Sequence, residues 1–447
     1  MTSSNPFPGT GDSATTAGSA APAANAANAA NPGSEVRTDT ATARLGAPFW
    51  RLWSSDGLSN LADGILKVAL PLLALEFTRS PTLIAGLAFA FTLPWLLFAL
   101  PAGALADRID RRRMMLTANI ARATIVGVIA LAAAFGFGSI WILYIGAFAV
   151  GMAETIYDTS AQSILPQVVK RDLLPRANAR LYVAETIANQ FVGPPLGGVL
   201  AAVGAVAALA TPAGLWLVAV GALLLMRGSF KVERTGSTTI RADIAEGLRF
   251  LWRHSVLRAL AIMTGVFNLA SNAAFAVFVL YAVGPSSPMK LTEPQYGILL
   301  TCLAIGSVAG SFVAVPLERR LGRARTIAVS MLGPALMVGV PALTSNAWVI
   351  GAAFFFGGAG VIMWNVIVVS FRQRATPDRL LGRVNSAYRL VAWGTMPIGA
   401  AIGGVLAQLL GVTAVFAIMT AVVLSMFLFL FVVTDAHMKA AEEHPAD

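Results

Sequence analysis

The sequence predicts an all-α integral membrane protein of twelve transmembrane helices in two pseudo-symmetric six-helix bundles. Three observations predict it. Hydrophobic residues make up 57% of the 447-residue chain and charged ones only 12%, whereas a soluble domain carries roughly 25% charged residues to cover its water-facing surface. The apolar residues fall in blocks long enough to cross a bilayer, for which about 20 residues suffice. Lys and Arg gather in alternate loops between those blocks. Strands are excluded, because the blocks lack period-two alternation and are much longer than barrel strands.

Taken in order, residues 1–44 are mostly Ala, Asn, Ser, Thr and Gly with few large apolar groups, a composition that cannot bury enough surface to fold. They are expected to be a disordered tail, without the charged start, apolar core and cleavage site of a signal peptide. The apolar blocks then run 50–76, 82–105, 114–135, 139–165, 178–203 and 205–227, followed by 257–283, 296–317, 325–343, 346–370, 384–410 and 412–434. A polar, charged segment, 228–255, separates the sixth from the seventh. The expected units are therefore a tail 1–44, a bundle 45–227, a central loop 228–255, a bundle 256–434 and a tail 435–447.

The basic loops hold Arg108, Arg111, Arg112 and Arg113, then Lys170, Arg171 and Arg176, then Arg227 to Arg258. Arg319, Arg320, Arg323 and Arg325 follow, then Arg372, Arg374, Arg379 and Arg383, while the intervening loops hold only Arg79 and Lys290. This asymmetry is the positive-inside pattern and places both termini and the central loop in the cytoplasm of a multi-pass cell-membrane protein. It also accounts for the net charge of +10, so no nucleic-acid partner is expected. A lone Cys302 and the scattered His254, His437 and His444 offer neither a disulfide framework nor a metal site. No phosphate-cradling loop or nucleophile with a base appears, so an enzyme or an ATP-driven pump is not expected, nor a cofactor.

The two halves share sequence. "RDLLPRANARL" before block five is matched by "DRLLGRVNSAY" before block eleven, pairing Arg176 with Arg383 and Asn178 with Asn385. One residue out of that register, Gly193, Gly197 and Gly198 match Gly399, Gly403 and Gly404, and "LADRIDRRR" is echoed by "LERRLGRAR". Repeated halves of this size point to a secondary transporter with its site at the interface between them.

On these residues the chain resembles the major facilitator superfamily. "GALADRIDRRR" is similar to its loop motif at Gly103, Leu105, Asp107, Arg108, Arg111 and Arg112, with Asp110 where the family has a second glycine. "NQFVGPPLGG" is similar to the antiporter signature at Gly193, Pro194, Gly197 and Gly198, and "ILPQVVKRDLLPRANA" resembles drug and siderophore exporters of the superfamily. The resemblance covers about residues 48 to 434. It implies alternating access, proton-driven export, and a latch in which Asp107 and its basic neighbours meet helix eleven and favour one closed state. The residues have their own physics: Pro194 and Pro195 remove backbone donors and bend a helix, and the glycines let another helix approach closely.

The remaining signal is charge inside the blocks. Asp56, Asn60, Asp63 and Lys67 are spaced by four, three and four, which puts them on one helix face. That face must turn from lipid, since a charge at the bilayer centre costs roughly 2.5–3.5 kcal/mol even on lenient scales. Arg122, Glu154, Asp158 and Glu185 add to it, all in the first half. The second half offers Arg389, Asn268, Asn272, Trp364, Asn365 and Trp393 with several phenylalanines. The first half is thus expected to handle protons and the second to supply much of an apolar, aromatic wall. Asp63, nearest the middle of its helix, is the first choice as proton carrier, with Asp56 and Glu185 behind it. The competing reading is a structural pair of Asp63 with Lys67. Glu154 and Asp158 suit salt bridges to Arg111, Arg112 or Arg122.

The function that follows is export of amphipathic small molecules in exchange for protons. Alternatives are export of a siderophore or other anionic metabolite, proton-coupled uptake, and a membrane sensor or assembly partner. The intramembrane tally of Asp56, Asp63, Glu154, Asp158 and Glu185 against Lys67, Arg122 and Arg389 leans to neutral or cationic solutes. Protons, a small-molecule substrate and the lipid bilayer are the expected partners, and a monomer the expected state.

Overall fold

The computed structural model of the chain describes residues 45–106, 109–228, 230 and 240–443. The expected disordered tail, Asp107 and Arg108 of the expected latch, most of the central loop's first half and the last four residues lie outside the described residues.

Every named element is helical. The first half contains α1 (Ala47–Phe77), α2 (Pro81–Ala106), α3 (Arg111–Ala134), α4 (Ile140–Val168), α5 (Leu174–Glu185), a π-helical segment (Thr186–Val192), α6 (Gly193–Val203) and α7 (Ala205–Leu224). An amphipathic α8 (Ile240–Arg253) leads to α9 (Ser255–Ala282), α10 (Glu293–Leu321), α11 (Arg323–Leu343), α12 (Ala347–Ala375), α13 (Asp378–Leu410), α14 (Val412–Ser425) and α15 (Asp435–Glu443). Short polar residues start several of them: Asp110 accepts from Arg113 N at 3.1 Å, Ser139 from Ile142 N at 3.3 Å and Asn346 from Trp348 N at 2.9 Å. These satisfy amides that a helix start leaves open. Asp110 has an ordinary φ of −58°, so this position has no need of the family's glycine.

Among the described residues, eleven helices are long and apolar enough to span a membrane. Block five of the expected twelve is not counted, because it is cut into pieces of 12, 7 and 11 residues. The backbone nevertheless stays right-handed helical through both junctions, at Thr186 and at Gly193. The interruption falls just before Pro194 and Pro195, which lack the amides that an unbroken ladder would use. The block therefore crosses as a helix carrying a π bulge.

Within the first half α1 packs on α6 and α7, α3 on α4 and α7, and α2 on α4. In the second, α9 packs on α13 and α14, α10 on α12, and α11 on α12 and α14. The halves meet through α2 with α13 and α6 with α10. The matched glycines occupy equivalent places in this scheme. A Cβ on Gly193 would lie 2.7 Å from Gly64 of α1, one on Gly197 2.7 Å from the Ile65 carbonyl, and one on Gly198 would strike Glu293 of α10. In the other half Gly399 and Gly403 abut Leu269 and Ala273 of α9, and Gly404 abuts Thr82 and Ala85 of α2. Each motif thus seats its helix on the first helix of its own half and on one helix of the other.

Candidate functional site

A cavity of about 500 Å³ lies where the halves meet, within the usual range of about 300–1,000 Å³ for small-molecule sites. Helix α1 supplies Gly64, Lys67 and Pro71, α2 supplies Ile84, Leu87 and Phe91, and the π segment supplies Asn189 and Gln190. Across from them stand Asn272 and Phe275 of α9 and Tyr296 and Leu300 of α10. The apolar wall comes from both halves. Branched and aromatic side chains of α1 and α2 turn inward alongside the polar face.

Away from the arginine-rich loops the halves are tied together. Arg79 donates to the Val283 carbonyl at 3.2 Å, Ser80 Oγ to Gln408 Oε1 at 3.2 Å, and Thr82 Oγ1 to the Gly404 carbonyl at 3.5 Å. Gly297 of α10 presses on the Pro194 backbone at the same end. Deeper in, Trp95 of α2 meets Trp393 of α13 edge to face with centroids 5.1 Å apart. Arg389 lies over the Trp393 ring at 4.2 Å and donates to Gln162 Oε1 at 3.3 Å toward the basic end.

Beneath the cavity lies a network of buried charge. Arg122 donates to Asp63 Oδ1 at 2.8 Å and Oδ2 at 3.0 Å, and to Asn119 Oδ1, while Asn119 donates to Ser59 Oγ at 2.8 Å. The guanidinium also lies 4.6 Å from the Tyr157 ring centroid and 5.2 Å from that of Trp216. Lys67 Nζ pairs with Glu154 Oε1 at 3.3 Å, and Glu154 Oε2 is buried without a hydrogen-bond partner among the described residues.

The competing Asp63–Lys67 pair and the salt bridges suited to Glu154 are corrected here. Asp63 joins Arg122, not Lys67, and Glu154 joins Lys67, not Arg111, Arg112 or Arg122. Four residues of α-helix turn the side chain by about 40°, enough to send Asp63 toward α3 and Lys67 toward α4. Arg112 donates instead to the Leu223 and Leu224 carbonyls at 2.7 and 3.0 Å, closing the end of α7. Arg111 is buried at the start of α3. Asp158 is half-buried and has no hydrogen bond or ion pair among the described residues, and Glu185 is exposed at the end of α5 rather than buried in the network. Asp56 is buried, and its carboxylate takes no hydrogen bond or ion pair from any described residue.

Asn272 lines the large cavity, but Asn268, Trp364 and Asn365 line a separate pocket of about 70 Å³ inside the second half. There Trp364 Nε1 donates to Thr264 Oγ1 at 3.2 Å and Asn268 to the Ala392 carbonyl at 2.7 Å. Asn60 stands outside the lining and accepts from Asn189 at 3.4 Å. Sequence reasoning missed Asn119, Asn189, Gln190, Trp95 and the rings over Arg122. Asn119 carried a signal, being one turn before Arg122 on the same face.

Comparison with known proteins gives a consistent answer. Residues 41–447 match the family described as "Transmembrane secretion effector", within the major facilitator superfamily. The chain is 29% identical over 380 residues to the multidrug efflux pump Tap of Mycolicibacterium fortuitum, covering 80% of this chain and 88% of that one. It is 27% identical over 356 residues to the enterobactin exporter EntS of Salmonella typhimurium, covering 78% and 82%. A bacterial homologue of the iron transporter ferroportin, solved in an inward-facing state, shares the fold with a TM-score of 0.69 at 17% identity, over 86% of this chain and 98% of that one.

Proposed function

The chain belongs to the transmembrane secretion effector family of the major facilitator superfamily, a family of transporters and not enzymes, and from that premise we propose that it exports amphipathic small molecules in exchange for protons by alternating access. The observation that carries the reading is the cavity between the halves. It is mostly apolar, it offers a few polar groups, and it is tied shut at one end by the Arg79, Ser80 and Thr82 contacts. The positive-inside pattern puts the arginine-rich face in the cytoplasm, so these ties lie at the opposite end, and an exporter would load from the arginine-rich side, past Trp95, Trp393 and the Arg389–Gln162 contact. Relatives that are a multidrug efflux pump and an enterobactin exporter support the direction. The Gly193 to Gly198 stretch supports proton exchange, since it seats one helix on both halves and controls closure at the far end.

The proton path belongs to the first half. Asp63 is held by both its oxygens, whereas Asp56 is buried toward the N-terminal end of α1 with no cation on it among the described residues, so Asp56 replaces Asp63 as the favoured carrier. The experiment is transport of rhodamine 123 and of fluorescein by the full chain in vesicles, with and without an imposed pH gradient. Gradient-driven movement of either dye out of the cytoplasmic compartment is expected. Movement that ignores the gradient, or that runs toward the cytoplasm, would overturn the reading.

A further inference from the structure

The cavity wall carries charge of one sign. Of the residues that line it, Lys67 is ionised, and the other polar groups are amides and hydroxyls: Asn189, Gln190, Asn272, Thr92 and Tyr296. The acids that tilted the sequence tally toward cationic solutes are not on this wall. Asp63 is 5% exposed and spends both oxygens on Arg122, and Glu154 is 7% exposed behind Lys67.

We infer that this cavity takes amphipathic ligands whose polar end is anionic, and that Lys67, drawn off Glu154, is the residue that holds that end. The inference rests on the export reading and names its substrate class.

Arg122 and Lys67 differ in what they have left to give. Arg122 has no exposure: its two terminal nitrogens are taken by Asp63 and Asn119, and its unpartnered Nε is sealed in with the aromatic rings, out of a ligand's reach. It is fixed structure. Lys67 is 41% exposed and meets Glu154 through one contact at 3.3 Å. An ammonium has three donors on a flexible four-carbon stem, so Lys67 has donors free and room to swing into the cavity. A carboxylate, sulfonate or ionised phenol arriving there exchanges one anionic partner of Lys67 for another, so the cation stays paired while Glu154 gives up its ion pair. A cationic ligand meets the Lys67 charge with no ionised acid on the wall to offset it. The amide groups of Asn189, Gln190 and Asn272 donate to further oxygens, and Phe91, Phe275, Tyr296 and Leu300 cover the apolar remainder.

Fluorescein and rhodamine 123 share one xanthene scaffold and differ in charge, so they separate this class from its opposite. Full-length protein in uncharged detergent is titrated with each dye above neutral pH, where fluorescein is a dianion, and binding is read by fluorescence anisotropy. Fluorescein is expected to bind about tenfold or more tightly than rhodamine 123, the scale of one charge-assisted hydrogen bond. Lys67→Gln should lose about that factor while Lys67→Arg keeps most of it. Glu154→Gln removes the competing anion and should tighten fluorescein. Lys67→Gln with Glu154→Gln leaves neither charge stranded, so it keeps the fold and should bind fluorescein as weakly as Lys67→Gln alone.

Rhodamine 123 bound as tightly as fluorescein would overturn the inference. So would fluorescein binding unchanged in the double variant, or absent from the wild-type chain. Binding needs no gradient, so the two readings fail separately. A chain that holds fluorescein through Lys67 yet moves no solute in vesicles would end the export reading alone.

Discussion

Arg122 reaches from α3 to grip both carboxylate oxygens of Asp63 on α1, at 2.8 and 3.0 Å, with its own side chain fully buried. The pair joins two helices of the first bundle that share few other contacts, and it fixes which face of α1 turns inward. Removing one member strands the other in a low-dielectric site, at a cost of about 3–5 kcal/mol. Asp63→Asn should therefore lower the unfolding temperature and the yield of monodisperse protein. Asp63→Asn with Arg122→Gln should recover most of the loss. A single variant as stable as the wild type would show that Asp63 is no lock.

Gly197 sits where a Cβ would lie 2.7 Å from the Ile65 carbonyl and 3.0 Å from Val68 Cβ. Backbone cannot yield as a flexible side chain does, so Gly197→Leu should push α6 off α1 at the upper end of the roughly 1–3 kcal/mol typical of overpacking. The α6–α10 seal should open with it. A cysteine placed at Tyr296, buried on α10 where it lines the cavity, in a background lacking Cys302, should then react faster with a thiol reagent from outside. Unaltered reactivity would mean that the seal does not depend on Gly197.

The C-terminal α15 clamps the second bundle. Glu442 accepts from Arg323 at 2.8 Å and from Arg374 at 2.8 Å, and Asp435 accepts from Ala324 N at 2.9 Å, with Met438 buried beneath. Burial works against the Glu442 charge, but the hydrogen bonds from Arg323 and Arg374 outweigh it and hold the carboxyl below its ordinary value. A carboxyl lowered on folding contributes stability above its unfolded pKa of about 4.3, and loses it as the pH falls through the lower folded value. Protection of the 435–443 amides, taken relative to their intrinsic exchange rate at each pH, should thus be high at neutral pH and fall in acid below that value. Glu442→Gln should lower it several-fold at neutral pH, in keeping with at most about 1 kcal/mol for pairs this near the surface. Protection indifferent to both would remove the clamp.

Much of this architecture was legible because bilayer length and loop charge act locally. Block boundaries fell within a few residues of α1, α2 and α7, and the glycine repeats foretold the paired α6 and α13 seats. Partner choice was not legible. Asp56, Asp63 and Lys67 announce a polar face by spacing, but whether each meets α3, α4 or nothing depends on a rotation of tens of degrees that one helix cannot encode. The same holds for Asn268 and Trp364. Their residue types suit a cavity, and a lateral pocket of their own bundle took them.

Topology offers an independent check. Trp348 is 88% exposed at the end of α12 away from the arginine clusters, and Lys439 lies on α15 beside them. In a Cys302→Ser background, a cysteine at Trp348 should be labelled from outside by a membrane-impermeant maleimide, and one at Lys439 only after the membrane is opened. The reverse pattern would invert the protein and make it an importer by the same geometry.

Asp56 carries the proton prediction. A coupled proton needs an acid that is withdrawn from water in one state, reached by it in another, and not held charged by a fixed cation. Asp63 fails the last condition because Arg122 grips both oxygens, and Glu154 fails it for as long as Lys67 stays on it. Asp56 meets the first and the last: it is 9% exposed, and no described residue donates to its carboxylate; its place two turns nearer the basic end than Asp63 is where a cytoplasm-facing state would bring water. Asp56→Asn strands no cation, so the protein should fold normally and still bind dye. Downhill dye movement in vesicles should persist, while uphill movement driven by a pH gradient and the accompanying proton flux should both stop. Asp63→Asn with Arg122→Gln should keep driven transport in the same assay. If instead that double variant loses coupling and Asp56→Asn retains it, the proton belongs to Asp63, and the Arg122 grip must be broken and remade in each cycle.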